Sequence, residues 1–256
     1  MSRRRRLLRW LAIVVAAAFV ISALPVVVMR WVDPWYSAFM LDAALDARLA
    51  ERSGYRTDYR WVDLEQISAH AAVAVIAAED QYFPFHTGFD FNSIREAIRH
   101  NEKQATRKRP RIRGASTITQ QVAKNLFLWS GRGYVRKGLE AYFTLLIELT
   151  WPKERILEVY LNIAQFGDGI YGVEAAARRF FRKPASRLTP AEAATLAAVL
   201  PNPITFKVNA PSAYVIKRRD WILAQMRGLG GPAYLRELDN PTEPPKAKPR
   251  RKAANE

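Results

Sequence analysis

The 256-residue chain has no cysteine and only three histidines, His70, His86 and His100. A disulfide framework, thiolate-held zinc and a cysteine nucleophile are therefore excluded, and a histidine-rich metal site is disfavoured. The redox state of the compartment stays open. Acidic charge is also scarce: 24 Asp and Glu stand against 40 Lys and Arg, a formal net charge of +16. Such a field favours anionic partners: nucleic acid, acidic lipid headgroups or a phosphorylated substrate. With 49% hydrophobic residues the chain has enough apolar material for one or two globular domains.

One run has no charge at all. Trp10 to Met29 is uniformly uncharged and follows Arg3 to Arg6. About 20 helical residues cover a bilayer core of roughly 30 Å. The run exceeds the apolar core of a signal peptide, and no small-x-small cleavage site follows it. We read it as an uncleaved anchor with its arginine flank in the cytoplasm and the rest of the chain outside. Trp31 and Trp35 suit the interface. That placement argues against nucleic acid despite the charge.

The remaining punctuation is helical. Apolar residues recur at helical spacing over 34–52, and 67–78 form an alanine-rich run suited to a buried helix. Asp90 and Ser116 are read as N-caps, Pro152 as first-turn proline, and Thr189-Pro190-Ala191-Glu192 as a capping box. Only 55–62 look weakly extended. The expected organisation is a basic N-terminus at 1–9, an anchor at 10–29, a connecting segment at 30–60, a mainly α domain at 61–230, and a disordered basic, proline-rich tail at 231–256. Gly167, Gly169 and Gly172 satisfy G-x-G-x-x-G but follow a helical pattern, which excludes a dinucleotide site. Arg107, Lys108, Arg109, Arg111 and Arg113 read as a solvated loop or as a contact for anionic headgroups.

Two acids mark a candidate site. Glu79 and Asp80 end the apolar helix and run into a loop with Tyr82, Phe83, Phe85, His86, Gly88 and Phe89. A carboxylate at such a junction suits a general base with raised proton affinity, and equally a helix end whose acids satisfy loop amides. Gly114 to Gln121 gathers small and hydroxyl groups at a helix start that can receive an anion. Lys124, eight residues after Ser116, is expected on the same helical face. Arg132, Arg136 and Lys137 precede Glu140, which either neutralises them or orders them for a leaving anion.

These blocks resemble, in order, the family 51 peptidoglycan glycosyltransferases: Glu79-Asp80-x-x-Phe83-x-x-His86-x-Gly88; Gly114-x-Ser116-Thr117-x-Thr119-Gln120-Gln121; Arg136-Lys137-x-x-Glu140; and Ile156-Leu157-Glu158-x-Tyr160-Leu161-Asn162 with Phe166-Gly167-x-Gly169-x-Tyr171-Gly172. The similarity spans 61–203 and looks like the monofunctional members, since S-x-x-K, S-D-N and K-T-G of the transpeptidase half do not occur. It implies a lysozyme-like helical domain that polymerises lipid II at the outer face of the cytoplasmic membrane, inverting the sugar and releasing undecaprenyl pyrophosphate, without cross-linking. Glu79 would be the general base. Lys124 and Arg132 would hold the pyrophosphate, Glu140 would be the second catalytic acid, and Ser116 and Gln121 would line the cleft.

Further substrate contacts carried over are Asp80, Phe83, His86, Gly88, Thr117, Gln120, Asn125, Arg136 and Lys137. Leu139 departs from members with a basic residue before the second acid. No cofactor is required; Mg or Mn bridging Glu140 to pyrophosphate is the one admitted. Implied partners are lipid II, the growing glycan strand, membrane lipid and other cell-wall synthesis or division proteins, not nucleic acid. The resemblance implies an apolar surface beside the cleft that dips into the bilayer; Tyr82, Phe83, Phe85 and Phe89 are its candidates and read equally as ordinary core. The competing readings are a membrane-anchored muramidase-like hydrolase and a non-catalytic scaffold.

Overall fold

A computed structural model describes residues 3–105, 114–131, 133–242, 244 and 245. The basic cluster at 107–113, Arg132 and residues 246–256 lie outside them. Helix α1 (Arg3–Val28) is the one helix among the described residues long and apolar enough to cross a membrane. Its C-terminal end docks on the rest of the chain: Trp151 Nε1 donates to Val26 O at 2.7 Å, and Ser22 and Tyr142 share a hydrogen bond of 2.8 Å. The indole thereby satisfies a carbonyl that the helix end leaves free.

Helix α2 (Ala38–Leu49) is capped by Ser37, and strand β1 (Asp58–Tyr59) follows. Helix α3 (Ala69–Glu79) is the axis of the domain. Every residue from Ala71 to Ala77 is buried, at 3% exposure or less. Its alanines permit close approach and lose no rotamer freedom on burial. Helices α9 (Pro190–Val199) and α10 (Ala213–Gly228) pack on one side of it. On another side stands a second layer of α5 (Ile118–Phe127), α6 (Tyr134–Thr150) and α7 (Lys153–Ile163). Helices α4 (Phe91–Ala105) and α8 (Val173–Phe181) complete the mainly helical fold.

Asp90 caps the start of α4 by accepting from Asn92 N and Ser93 N, and Thr189 with Glu192 forms the expected capping box on α9. Three differences from the sequence expectation stand out. First, Gly167 and Gly169 belong to a hairpin of β2 (Gln165–Gly167) and β3 (Ile170–Tyr171), with β1 pairing parallel to β3. A side chain on Gly169, at φ +70°, would place its Cβ 2.3 Å from Arg56 O, which accounts for that glycine without any nucleotide.

Second, the cap of α5 is Thr117, one residue after Ser116. Third, residues 231–238 are ordered: a 3-10 turn over Gly231–Glu237 buries Tyr234 and Leu238. Tyr234 Oη donates to Gln81 O at 2.7 Å, which ties the turn to the segment after α3. Those two side chains supply the apolar surface that the proline-rich composition further along lacks.

Candidate active site

Glu79 is the last residue of α3 and faces α5 and α10. Gln121 Nε2 donates to Glu79 Oε2 at 3.0 Å, and Arg218 Nη2 from α10 donates to Oε1 at 3.3 Å. The Tyr160 hydroxyl donates to Gln121 Oε1 at 3.2 Å, so the amide is turned with its NH2 toward the carboxylate. Burial pushes the Glu79 carboxyl above the usual glutamate range; the Gln121 hydrogen bond and the Arg218 charge pull it back, Asp80 adds to the rise, and Lys124 opposes it. The side chain keeps 15% exposure, which leaves one edge open to an incoming hydroxyl.

Asp80 does something different. Its Oδ2 accepts from Ile118 N, the first amide of α5, at 3.0 Å. Both its oxygens lie 3.0–3.1 Å from His86 Nε2. Gly88 N donates to His86 Nδ1 at 3.1 Å, so the ring hydrogen sits on Nε2 and points at Asp80. Thr117 Oγ1 donates to Gly88 O at 2.7 Å, while Gln120 Oε1 closes the capping box on Thr117 N at 3.0 Å. Gly88 has φ +87°, and a Cβ there would meet Thr144 Cγ2 at 2.7 Å. Phe83 is fully enclosed, with Lys153 Nζ 4.6 Å from its ring centroid.

Asp80, Phe83, His86, Gly88, Thr117 and Gln120 thus form an interlocked wall. Their hydrogen bonds fix the loop and the start of α5, and Phe83 is fully buried.

The cationic side is built from α5 and α6. Burial pulls the Lys124 ammonium below the usual lysine range; Glu140 counters this, Arg136 and Lys137 add to it, and Glu79 counters it. Lys124 therefore lies in the fields of both glutamates. Ser116 is exposed and precedes the cap, so it does not share a helical face with Lys124; Gln121, one turn earlier on α5, does. Glu140 is 3% exposed and is engaged by Arg136 Nη1 at 3.3 Å and by Lys137 Nζ. Among the described residues, Asn125 Oδ1, Arg136 Nε and Arg218 Nε are buried without a hydrogen-bond partner.

Comparison with known proteins now decides the family. A family model described as Transglycosylase matches residues 46–227, more than two thirds of the chain. The chain belongs to the transglycosylase family. This glycosyltransferase is 59% identical over 201 residues to the biosynthetic peptidoglycan transglycosylase of Pectobacterium carotovorum subsp. carotovorum, covering 78% of this chain and 81% of that one. It is 52% identical over 233 residues to that of Xanthomonas campestris pv. campestris, covering 91% and 93%. The relative so named in Yersinia pestis is 58% identical over 202 residues, covering 79% and 82%.

In this transglycosylase the structure brings together Glu79, Gln121 and Lys124, and beside them Arg136, Lys137 and Glu140. Arg218 is not among the residues the sequence singled out; packing of α10 on α3 carries it back to Glu79, 139 positions away. Both Glu140 oxygens are engaged, Oε2 by Arg136 and Oε1 by Lys137. Among the described residues there is no group of three or more His, Asp or Glu able to hold a metal.

Tyr82, Phe85 and Phe89 are half-buried and Phe83 is core. Exposed apolar side chains include Leu41, Leu45 and Leu49 on α2, Phe91 and Ile98 on α4, Trp129, and Tyr134, Val135, Leu145 and Leu149 on α6.

Proposed function

We propose that this transglycosylase polymerises lipid II into β-1,4-linked glycan. Glu79 takes the proton of the acceptor GlcNAc 4-hydroxyl, and that oxygen attacks C1 of the donor MurNAc from the face opposite its substituent. The bond from C1 to the pyrophosphate oxygen breaks, and undecaprenyl pyrophosphate leaves with the electron pair, so configuration inverts. The observation that carries this reading is the Glu79 carboxylate, of raised proton affinity and open at one edge, in the field of Lys124. The peptidoglycan in the names of the relatives supports the choice of substrate.

The division of labour follows from the leaving group. A glycosidase must protonate a sugar alcohol to expel it, whereas a pyrophosphate departs once its growing charge is met by fixed cations. Lys124, Arg136 and Lys137 supply those charges, with Arg132 as a further one, and Glu140 holds Arg136 and Lys137 in place. Ser116, exposed before the α5 cap, and Asn125, with its orphaned Oδ1, line the approach.

We read α1 as a single-pass anchor in the cytoplasmic membrane, with the catalytic domain on the outer face. The exposed leucines of α2 and the apolar side chains of α6 then meet the bilayer, where a lipid-linked donor arrives. Cross-linking is not part of the reading. Labelled lipid II given to the purified enzyme should yield polymer and undecaprenyl pyrophosphate. Release of short sugars from finished glycan, with no polymer from lipid II, would instead identify a hydrolase.

A further inference from the structure

Helix α2 follows the anchor and reaches the cation cradle. Its N-cap Ser37 is completely buried and accepts from Met40 N at 3.2 Å, and Met40 is itself fully enclosed. The start of the helix is therefore fixed in the core. From that fixed start, Phe39 lies against Lys124, whose Nζ is 5.4 Å from the ring centroid. Three residues on, Asp42 Oδ2 accepts from Ser130 N at 2.7 Å. Ser130 is in the turn joining the helix of Lys124 to the helix of Arg136, Lys137 and Glu140.

Among the described residues no carboxylate lies within ion-pair distance of Lys124 Nζ. Arg136 and Lys137, by contrast, are both tied to Glu140. The distinction matters for an anion. An ammonium paired with a carboxylate is already neutralised and must exchange its partner to receive a phosphate. An aromatic face attracts the same ammonium through its quadrupole, adds no negative charge and takes none of its strong hydrogen-bond donors. Phe39 can thus hold Lys124 in place and leave it fully able to bind an anion.

We propose that Phe39 is a positioning residue for Lys124, with Asp42 fixing the turn that sets α5 and α6 relative to one another. The anchor-proximal helix is on this account part of the donor site as well as a connector. The inference rests on the reading of Lys124 as a cation for the departing pyrophosphate.

The test compares full-length wild type, Phe39→Leu, Phe39→Tyr and Asp42→Ala on lipid II. Each variant's thermal melting is followed, and inhibition by inorganic pyrophosphate serves as a binding readout separate from turnover. Leucine keeps the bulk and apolar character of the side chain but removes the ring face. Phe39→Leu should melt like wild type, lose roughly threefold to thirtyfold in kcat/KM, and be inhibited by pyrophosphate more weakly by a similar factor. Phe39→Tyr should keep both properties within about twofold, since its ring presents the same quadrupole. Asp42→Ala, which loses one hydrogen bond on an exposed turn, should fall about threefold.

Equal behaviour of the leucine and tyrosine variants, whether both active or both impaired, would overturn the role of the ring. A wild type that forms no polymer from lipid II would overturn the functional reading and this inference with it, whereas an active wild type with an unaffected Phe39→Leu overturns this inference alone.

Discussion

Glu79 and Asp80 are neighbours in the chain and opposite in circumstance. Asp80 receives hydrogen bonds from Ile118 N and His86, is enclosed, and knits the loop after α3 to the start of α5. Glu79 receives bonds from Gln121 and Arg218, keeps an open edge, and has its proton affinity raised by burial. A helix end therefore carries two carboxylates, one enclosed and hydrogen-bonded into the structure, the other partly desolvated with an open edge. The same contrast recurs among the cations: Arg136 and Lys137 are tied to Glu140, while Lys124 rests against a ring. Readiness at this site consists of incomplete compensation, held in place by an interlocked wall.

That contrast is open to attack by substitution. The largest effect is expected from Glu79→Gln, which should lose at least ~100-fold in turnover on lipid II, as for removal of a general base. Its stability should move the other way. Because the folded-state pKa of Glu79 lies above its unfolded value, the folded protein binds the proton more tightly. Stability at this residue therefore falls as pH rises from the ordinary glutamate range through the raised value, and the penalty is complete above both. Thermal melting near neutral pH should accordingly show the glutamine variant at or above wild type. A marked drop in melting temperature would mean that Glu79 is a structural acid like its neighbour.

Lys124→Ala should come next, lowering kcat by roughly tenfold to a hundredfold, as for loss of a preorganised charge at a leaving group. Steady-state kinetics that leave kcat intact would remove Lys124 from the chemistry. Asp80→Ala should reverse the Glu79 pattern. It leaves the Ile118 amide and the His86 ring hydrogen unpaired in an enclosed site, at a cost of about 2–4 kcal/mol by denaturant unfolding. Stability equal to wild type would break the distinction between the two acids.

The smallest effect belongs to Arg218→Gln. Removing this cation raises the Glu79 pKa further, so the acidic limb of the kcat/KM profile should move to higher pH. A limb that stays in place would show that Arg218 does not act on the base.

Much of this was legible in the sequence wherever the signal was local. The α9 capping box, the alanine-rich α3 and the acids at its end follow from spacing alone. The cap of α5 was readable too, because a box requires Gln or Glu three positions after the cap; Gln120 selects Thr117, whereas Ser116 would need one at Thr119. Strands β2 and β3 left no period to detect, being two or three residues around glycine.

Arg218 and Phe39 were out of reach for another reason. Each acquires its partner through tertiary packing across 139 and 85 positions respectively, and nothing near either residue announces it. The family motifs, for their part, mark contact residues and supporting residues alike. Burial separates Phe83 and Thr117, which hold the wall, from Glu79 and Lys124, which lie in one another's fields.

The central claim is that the Glu79 carboxylate performs chemistry rather than holding structure. Initial rates of lipid II polymerisation by purified wild type and Glu79→Gln, measured on preparations of matched melting temperature, test it most directly. The account predicts polymer from the wild type and at least ~100-fold less from the variant. A Glu79→Gln protein that polymerises at the wild-type rate would contradict it.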